Sequence, residues 1–114
     1  MLKPLSGAAV VAGVLLMAST SFSVPPAGDA TPGKEVFLKK CKTCHGEDGE
    51  GNQGMAKLLK TTITPLDSDE VQTKSDADIK TVITQGKDKM KPVQGLSDSD
   101  IDNVIAYVRT FKKK

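Results

Sequence analysis

The chain has 114 residues, of which 16 are basic and 14 acidic, so its formal net charge is only +2. This near balance argues against nucleic acid as a partner. The sequence contains no Trp, one Tyr and three Phe, so the bulky rings that usually fill a domain of this size are scarce. A bound apolar group is therefore expected to supply part of the core.

The first 23 residues are predicted to be a secretory signal peptide. Lys3 gives a basic start, residues 5–18 form an apolar run, and the small residues Ser21 and Ser23 suit a cleavage site. Cleavage after Ala27 or Ala30 is an alternative. The run is shorter than the ~20 residues that span a bilayer, which disfavours a retained anchor. The chain is thus expected to be exported, to the periplasm or beyond, with residues 24–30 as a flexible lead-in and 31–114 as the domain.

The first helix of the domain is predicted to begin at Thr31, a good N-cap, with Pro32 in the first helical position. Gly33, Phe37 and Cys41 recur at four-residue spacing. They are therefore expected to lie on one inward face.

This helix runs into the segment Cys41-Lys42-Thr43-Cys44-His45. Two cysteines followed directly by histidine are typical of c-type haem attachment, in which Cys41 and Cys44 bind the porphyrin covalently and His45 supplies the proximal iron ligand. A redox dithiol or a disulfide is the alternative. Structural zinc would need four ligands, usually thiolates and imidazoles, but the chain offers two cysteines and one histidine.

The remaining elements follow from turn and cap signals. Residues 46–54 are too rich in glycine and charge for a regular element, residues 55–59 and 69–72 suit short helical turns, and residues 61–66 read as extended chain. Ser75 and Ser97 each precede acidic residues and an apolar stripe, which predicts two further helices. Their stripes are Ile79, Val82 and Ile83, and Ile101, Val104, Ile105 and Val108.

A second iron ligand is expected to be methionine, because no second histidine exists. Met90 lies among lysines, where core packing explains it poorly, and it is predicted to be the distal ligand. Met55 lies in an apolar turn and is expected to line the core or the pocket. An open or differently ligated iron face remains an alternative.

Residues 31–111 resemble the small class I cytochromes c of bacteria. The segments that carry the resemblance are Gly33-Lys34-Glu35-Val36-Phe37, Cys41-Lys42-Thr43-Cys44-His45-Gly46, Gly86-Lys87-Asp88-Lys89-Met90, Gly95-Leu96-Ser97-Asp98 and Ala106-Tyr107-Val108-Arg109. The resemblance implies an all-α fold with three main helices and short turns wrapped around one covalent haem. It also implies crossing N- and C-terminal helices, in which Gly33 and Phe37 meet Val104 and Tyr107.

Two details of the family pattern are less closely matched. The ligand methionine of the family is commonly followed by proline, whereas Lys91 here separates Met90 from Pro92. By the resemblance, the family proline whose carbonyl orients the proximal imidazole is expected at Pro65, where the surrounding sequence matches weakly.

The expected function is electron transfer between larger redox proteins by a monomeric carrier, without enzymatic activity. Lysines near both ligand segments would form a positive rim for an acidic partner, or would simply keep the protein soluble; they are Lys39, Lys40, Lys42, Lys87, Lys89 and Lys91. The alternatives are a dedicated haem subunit of a dehydrogenase or oxidase, and a peroxidase-like or ligand-sensing haem protein.

Overall fold

The computed structural model describes residues 28–113, together with residues 2, 4, 7 and 12–16. Most of the predicted signal peptide and residues 24–27 of the lead-in lie outside the described residues. Within the described part of the chain there are six helices and no strand, which confirms the all-α prediction. No helix in this part is long and apolar enough to cross a membrane.

Three helices form the body of the fold and three short ones connect them. The long helices are α1 (Ala30–Lys40), α5 (Asp76–Gln85) and α6 (Asp98–Arg109). The short helices are α2 (Lys42–His45), α3 (Gln53–Leu58) and α4 (Asp69–Gln72). The serine caps of the later helices are confirmed, because Ser75 and Ser97 each accept a hydrogen bond from the third backbone N–H of α5 and α6.

The predicted start of α1 was wrong by two residues. Asp29 is the N-cap, its carboxylate accepting from the Thr31 N–H at 2.9 Å, so Thr31 and Pro32 lie inside the first turn. The backbone N–H of Asp29 also donates to the Asn103 side chain at 2.9 Å. This contact with α6 holds the capping residue in place, and local sequence does not reveal it.

The N-terminal and C-terminal helices cross at Gly33, as the family resemblance implied. A Cβ atom built on Gly33 would lie 1.9 Å from the Asn103 carbonyl oxygen and 3.1 Å from the Val104 nitrogen. The two backbones therefore touch, and no other residue type fits this position without moving the helices apart.

Around this crossing lie the core and a cluster of three aromatic rings. The ring of Phe37 meets those of Tyr107 and Phe111 edge-on, with centroids 5.3 and 5.5 Å apart, and the latter two rings are 5.0 Å apart. Such geometry adds to the stabilisation from burial. The other buried core residues come from the predicted stripes: Ile79, Ile83, Ile101, Val104, Ile105 and Val108.

Replacement of Gly33 by alanine is expected to destabilise the protein by roughly 1–3 kcal/mol, because the methyl group would overlap the α6 backbone. At an ordinary helical glycine, the same replacement by alanine would instead stabilise the protein. The free energy of unfolding from a denaturant titration measures the effect. Lys34→Ala, at an exposed position of the same helix, should change that free energy by less than about 0.5 kcal/mol.

Candidate cofactor site

The thiols and the imidazole of the predicted attachment segment lie on one face of a helical turn. The Cys41 carbonyl accepts from the N–H groups of Cys44 at 3.3 Å and His45 at 3.0 Å. Residues three and four apart on a helix are neighbours, so Cys41, Cys44 and His45 project together. The Gly51 N–H donates to the His45 carbonyl at 2.7 Å, which fastens the following loop to the turn.

Two adjoining clefts, of about 430 and 300 Å³, open beside this turn. Cys41 and His45 line both clefts, and Cys44 lines the first. The second cleft reaches the core, where side chains of α1, α5 and α6 form its wall. Their volumes lie in the range of cofactor pockets, roughly 300–1,000 Å³.

Met90 lines both clefts together with His45, whereas Met55 lines the first cleft. The structure thus brings the two predicted iron ligands to one space. Met55 occupies the pocket-lining position that the sequence indicated for it. Leu59, from the same apolar turn, also lines the first cleft. Ile63 lines it too but was missed by the sequence analysis, because it lies in extended chain without a periodic pattern.

The Met90 segment is a tight turn fastened to α5 at both ends. Lys87 and Met90 exchange backbone hydrogen bonds of 2.9 and 2.8 Å, and the Val93 N–H donates to the Ile83 carbonyl at 2.9 Å. Gly86 has φ +78°, and a Cβ there would lie 2.6 Å from the Met90 carbonyl oxygen. Glycine at position 86 therefore permits the turn that places Met90 at the cleft.

Burial sets the protonation state of the attachment residues. It raises the pKa of the Cys41 thiol to about 11, with a smaller contribution from Cys44. Redox-active dithiols have a lowered thiol pKa, and Cys41 follows a helix rather than a strand, so the dithiol alternative is disfavoured. Burial lowers the pKa of His45. The imidazole is therefore neutral at neutral pH, which is the form that binds a metal.

Comparison with known proteins agrees with this geometry. The family model described as "Cytochrome C oxidase, cbb3-type, subunit III" matches residues 28–108. The chain is 35% identical over 92 residues to cytochrome c-554(547) of Halothiobacillus neapolitanus, covering 75% of this chain and 100% of that protein. This chain belongs to the cytochrome c family.

Two further relatives align with a similar share of this cytochrome. This chain is 37% identical over 85 residues to the cbb3-type cytochrome c oxidase subunit FixP of Azorhizobium caulinodans. The alignment covers 72% of this chain but only 27% of FixP. The solved structure of the KustC0563 c-type cytochrome superimposes with a TM-score of 0.61 at 31% identity, covering 71% of this chain and 98% of that one. The family function is haem-based electron transfer, and the cofactor is covalently bound haem c.

The residues at the clefts fit this cofactor. Free thiols at Cys41 and Cys44 and the neutral imidazole of His45 provide the donor set. Ile79, Val82 and Ile83 offer an apolar wall to a flat macrocycle. The Nδ1 atom of His45 is buried without a hydrogen-bond partner among the described residues. Such an atom costs roughly 1–3 kcal/mol unless a bound group compensates.

One family-derived expectation was wrong. The Pro65 carbonyl accepts from the Ser68 N–H at 3.2 Å and is not bonded to the orphaned His45 nitrogen. The exposed Pro65 begins the turn that leads into α4, and its carbonyl takes part in that turn.

The mature holoprotein is expected to have the mass of its polypeptide plus one haem, because both thiols lie on the cleft face of the turn. The double variant Cys41→Ser/Cys44→Ser should lose the covalent adduct. Mass spectrometry under denaturing conditions measures this. Replacement of the exposed Thr43 by serine leaves the donor set intact and should retain the adduct; its loss there would point to a requirement other than the two thiols.

Proposed function

We propose that this chain is an exported mono-haem cytochrome c that carries single electrons between larger redox proteins and catalyses no reaction of its own. Cys41 and Cys44 hold the haem through thioether bonds, and His45 and Met90 are its proximal and distal iron ligands. The observation that carries the proposal is the shared placement of His45 and Met90 on both clefts.

The ligand pair decides between a carrier and a catalyst. Bound haem supplies a one-electron couple between ferrous and ferric iron. A methionine thioether is a soft neutral donor, so His45 and Met90 together favour a higher reduction potential than two histidines would. With both residues bound, no coordination position remains for oxygen or a substrate. This disfavours a peroxidase-like or ligand-sensing role.

The predicted lysine rim divides into parts in the structure. Lys40, Lys89 and Lys91 line the first cleft, and Lys87 lines the second. Lys39 and Lys42 are exposed but contribute to neither lining in the described part of the chain. We propose that Lys40, Lys89 and Lys91 steer an acidic redox partner to the mouth of the first cleft.

An apolar side chain beside this mouth supports the same docking surface. Leu58, at the end of α3, is 73% exposed and directly precedes Leu59, which lines the first cleft. In a docked complex this leucine would add apolar contact inside a charged border, as in transient protein interfaces. Lys57 and Lys60 flank it in sequence and extend the positive surface.

A dedicated oxidase subunit is the second candidate, favoured by the description of the matching family model and by the similarity to FixP. The two candidates differ in how the protein is held. A carrier separates from membranes as a monomer at moderate ionic strength, whereas a subunit remains with its complex through detergent extraction and size-exclusion chromatography.

Met90→Ala is expected to abolish the weak long-wavelength absorption band of sulfur-ligated ferric haem and to lower the midpoint potential, because the thioether that favours ferrous iron is lost. Met55→Ala is the matched control and should retain the band. Absorption spectra of the oxidised protein and a redox titration measure both properties. A Met90→Ala protein that keeps the band would exclude Met90 as the ligand.

The double variant Lys89→Gln/Lys91→Gln is expected to slow oxidation of the ferrous protein by ferricyanide severalfold at low ionic strength, because local positive potential at the cleft attracts the anion. The reaction transfers one electron and yields ferrocyanide. Lys34→Gln/Lys112→Gln removes equal charge from exposed positions that line neither cleft and should slow the reaction less. Equal effects of the two pairs in stopped-flow measurements, or no loss of the difference in high salt, would contradict local steering.

A further inference from the structure

Residues 66–74 contribute one wall of the second cleft. Leu66, Glu70, Val71 and Lys74 line the cleft, and α4 accounts for the middle of this segment. A helix of four residues has little stability of its own. In the described part of the chain, extensive helix-to-helix packing involves α1, α2, α3, α5 and α6 but not α4. Leu66 and Val71 pack against the core, and any further anchoring of this wall comes from polar contacts to its backbone.

Arg109, the last residue of α6, holds both ends of the junction between α4 and α5. Its guanidinium donates to the Gln72 carbonyl at 2.9 Å and to the Lys74 carbonyl at 2.6 Å. It also donates twice to the Asp76 carboxylate, at 3.1 and 2.7 Å. The four bonds use the planar fork of arginine, which lysine does not possess.

These contacts provide hydrogen-bond partners for backbone carbonyl groups at and after the end of α4. Gln72 closes α4, and the carbonyl groups at a helix end lack partners within the helix. A cation at that end is favourable to the helix dipole, and the Asp76 carboxylate is favourable at the start of α5. Arg109 thus caps the end of α4 and, through Asp76, stabilises the beginning of α5.

Gln72 forms a second link between the wall and α6. Its side-chain amide donates to the Leu66 carbonyl at 2.7 Å and to the Val108 carbonyl at 3.0 Å. Leu66 and Val108 both line the second cleft. The Arg109 side chain is 28% exposed and that of Asp76 54%, so the ion pair itself contributes little. The hydrogen bonds to the wall backbone carry the effect.

We propose that Arg109 is a positioning residue of the redox centre, which holds residues 66–76 against the cleft and thereby keeps water from that side of the cofactor. The inference rests on the proposed electron-transfer function. Exclusion of water disfavours the more highly charged ferric state, so solvent access at a haem lowers its reduction potential. Loss of the Arg109 contacts opens the wall and shifts the potential downward.

The test compares Arg109→Lys and Arg109→Gln in the intact holoprotein. The lysine variant keeps the charge but loses the fork, so it separates positioning from electrostatics. Both variants are expected to lower the midpoint potential, the lysine variant by at least half of the shift in the glutamine variant. Amide hydrogen exchange in residues 67–76 should accelerate about tenfold or more in both. Lys113→Gln, which removes the exposed Lys113–Asp67 pair on the same segment, is the control and should change neither measurement.

Two results would overturn the inference. If Arg109→Lys has the potential and exchange rates of the wild type, the effect of Arg109→Gln is one of charge. If both variants melt at lower temperature but keep the wild-type potential, Arg109 is merely structural. The proposed function is tested separately, since it fails if the wild-type protein itself shows no reversible one-electron couple.

Discussion

Close contact between α1 and α6 is the constraint on which the rest of this cytochrome depends. At Gly33 the two backbones touch, which brings Phe37 into the aromatic cluster with Tyr107 and Phe111. The attachment turn directly follows α1, so the crossing also fixes where Cys41 begins it. A small domain with few large side chains can then use the haem itself as the remainder of its core.

The two sides of the cofactor site are held in different ways. The His45 side belongs to a helical turn continuous with α1, and the Met90 side is a tight turn that returns to α5 through the Ile83 carbonyl. Both segments are short and are attached directly to helices of the main core. If His45 and Met90 bind the iron as proposed, these attachments would let it change valence with little movement of its ligands, which favours rapid electron transfer.

The rim and the wall of the site have separate physical roles. Lys89 and Lys91 are exposed at the first cleft, where their charge acts over a Debye length and depends on salt. Arg109 lines neither cleft and contacts residues 72–74 through short hydrogen bonds to backbone carbonyls. Under the two proposals, partner encounter and reduction potential depend on different residues, so one can change with little effect on the other.

The sequence by itself determined the cofactor, the helices and the candidate ligands. These depend on local chemistry: the Cys41 to His45 spacing, the caps at Ser75 and Ser97, and a methionine among lysines. Tertiary structure decided the features that depend on residues far apart in the chain. Asn103 anchors the cap residue Asp29 from α6, Pro65 bonds within its own turn and not to His45, and Arg109 reaches α4 across the fold. Contacts of this kind arise from packing, and no local pattern encodes them.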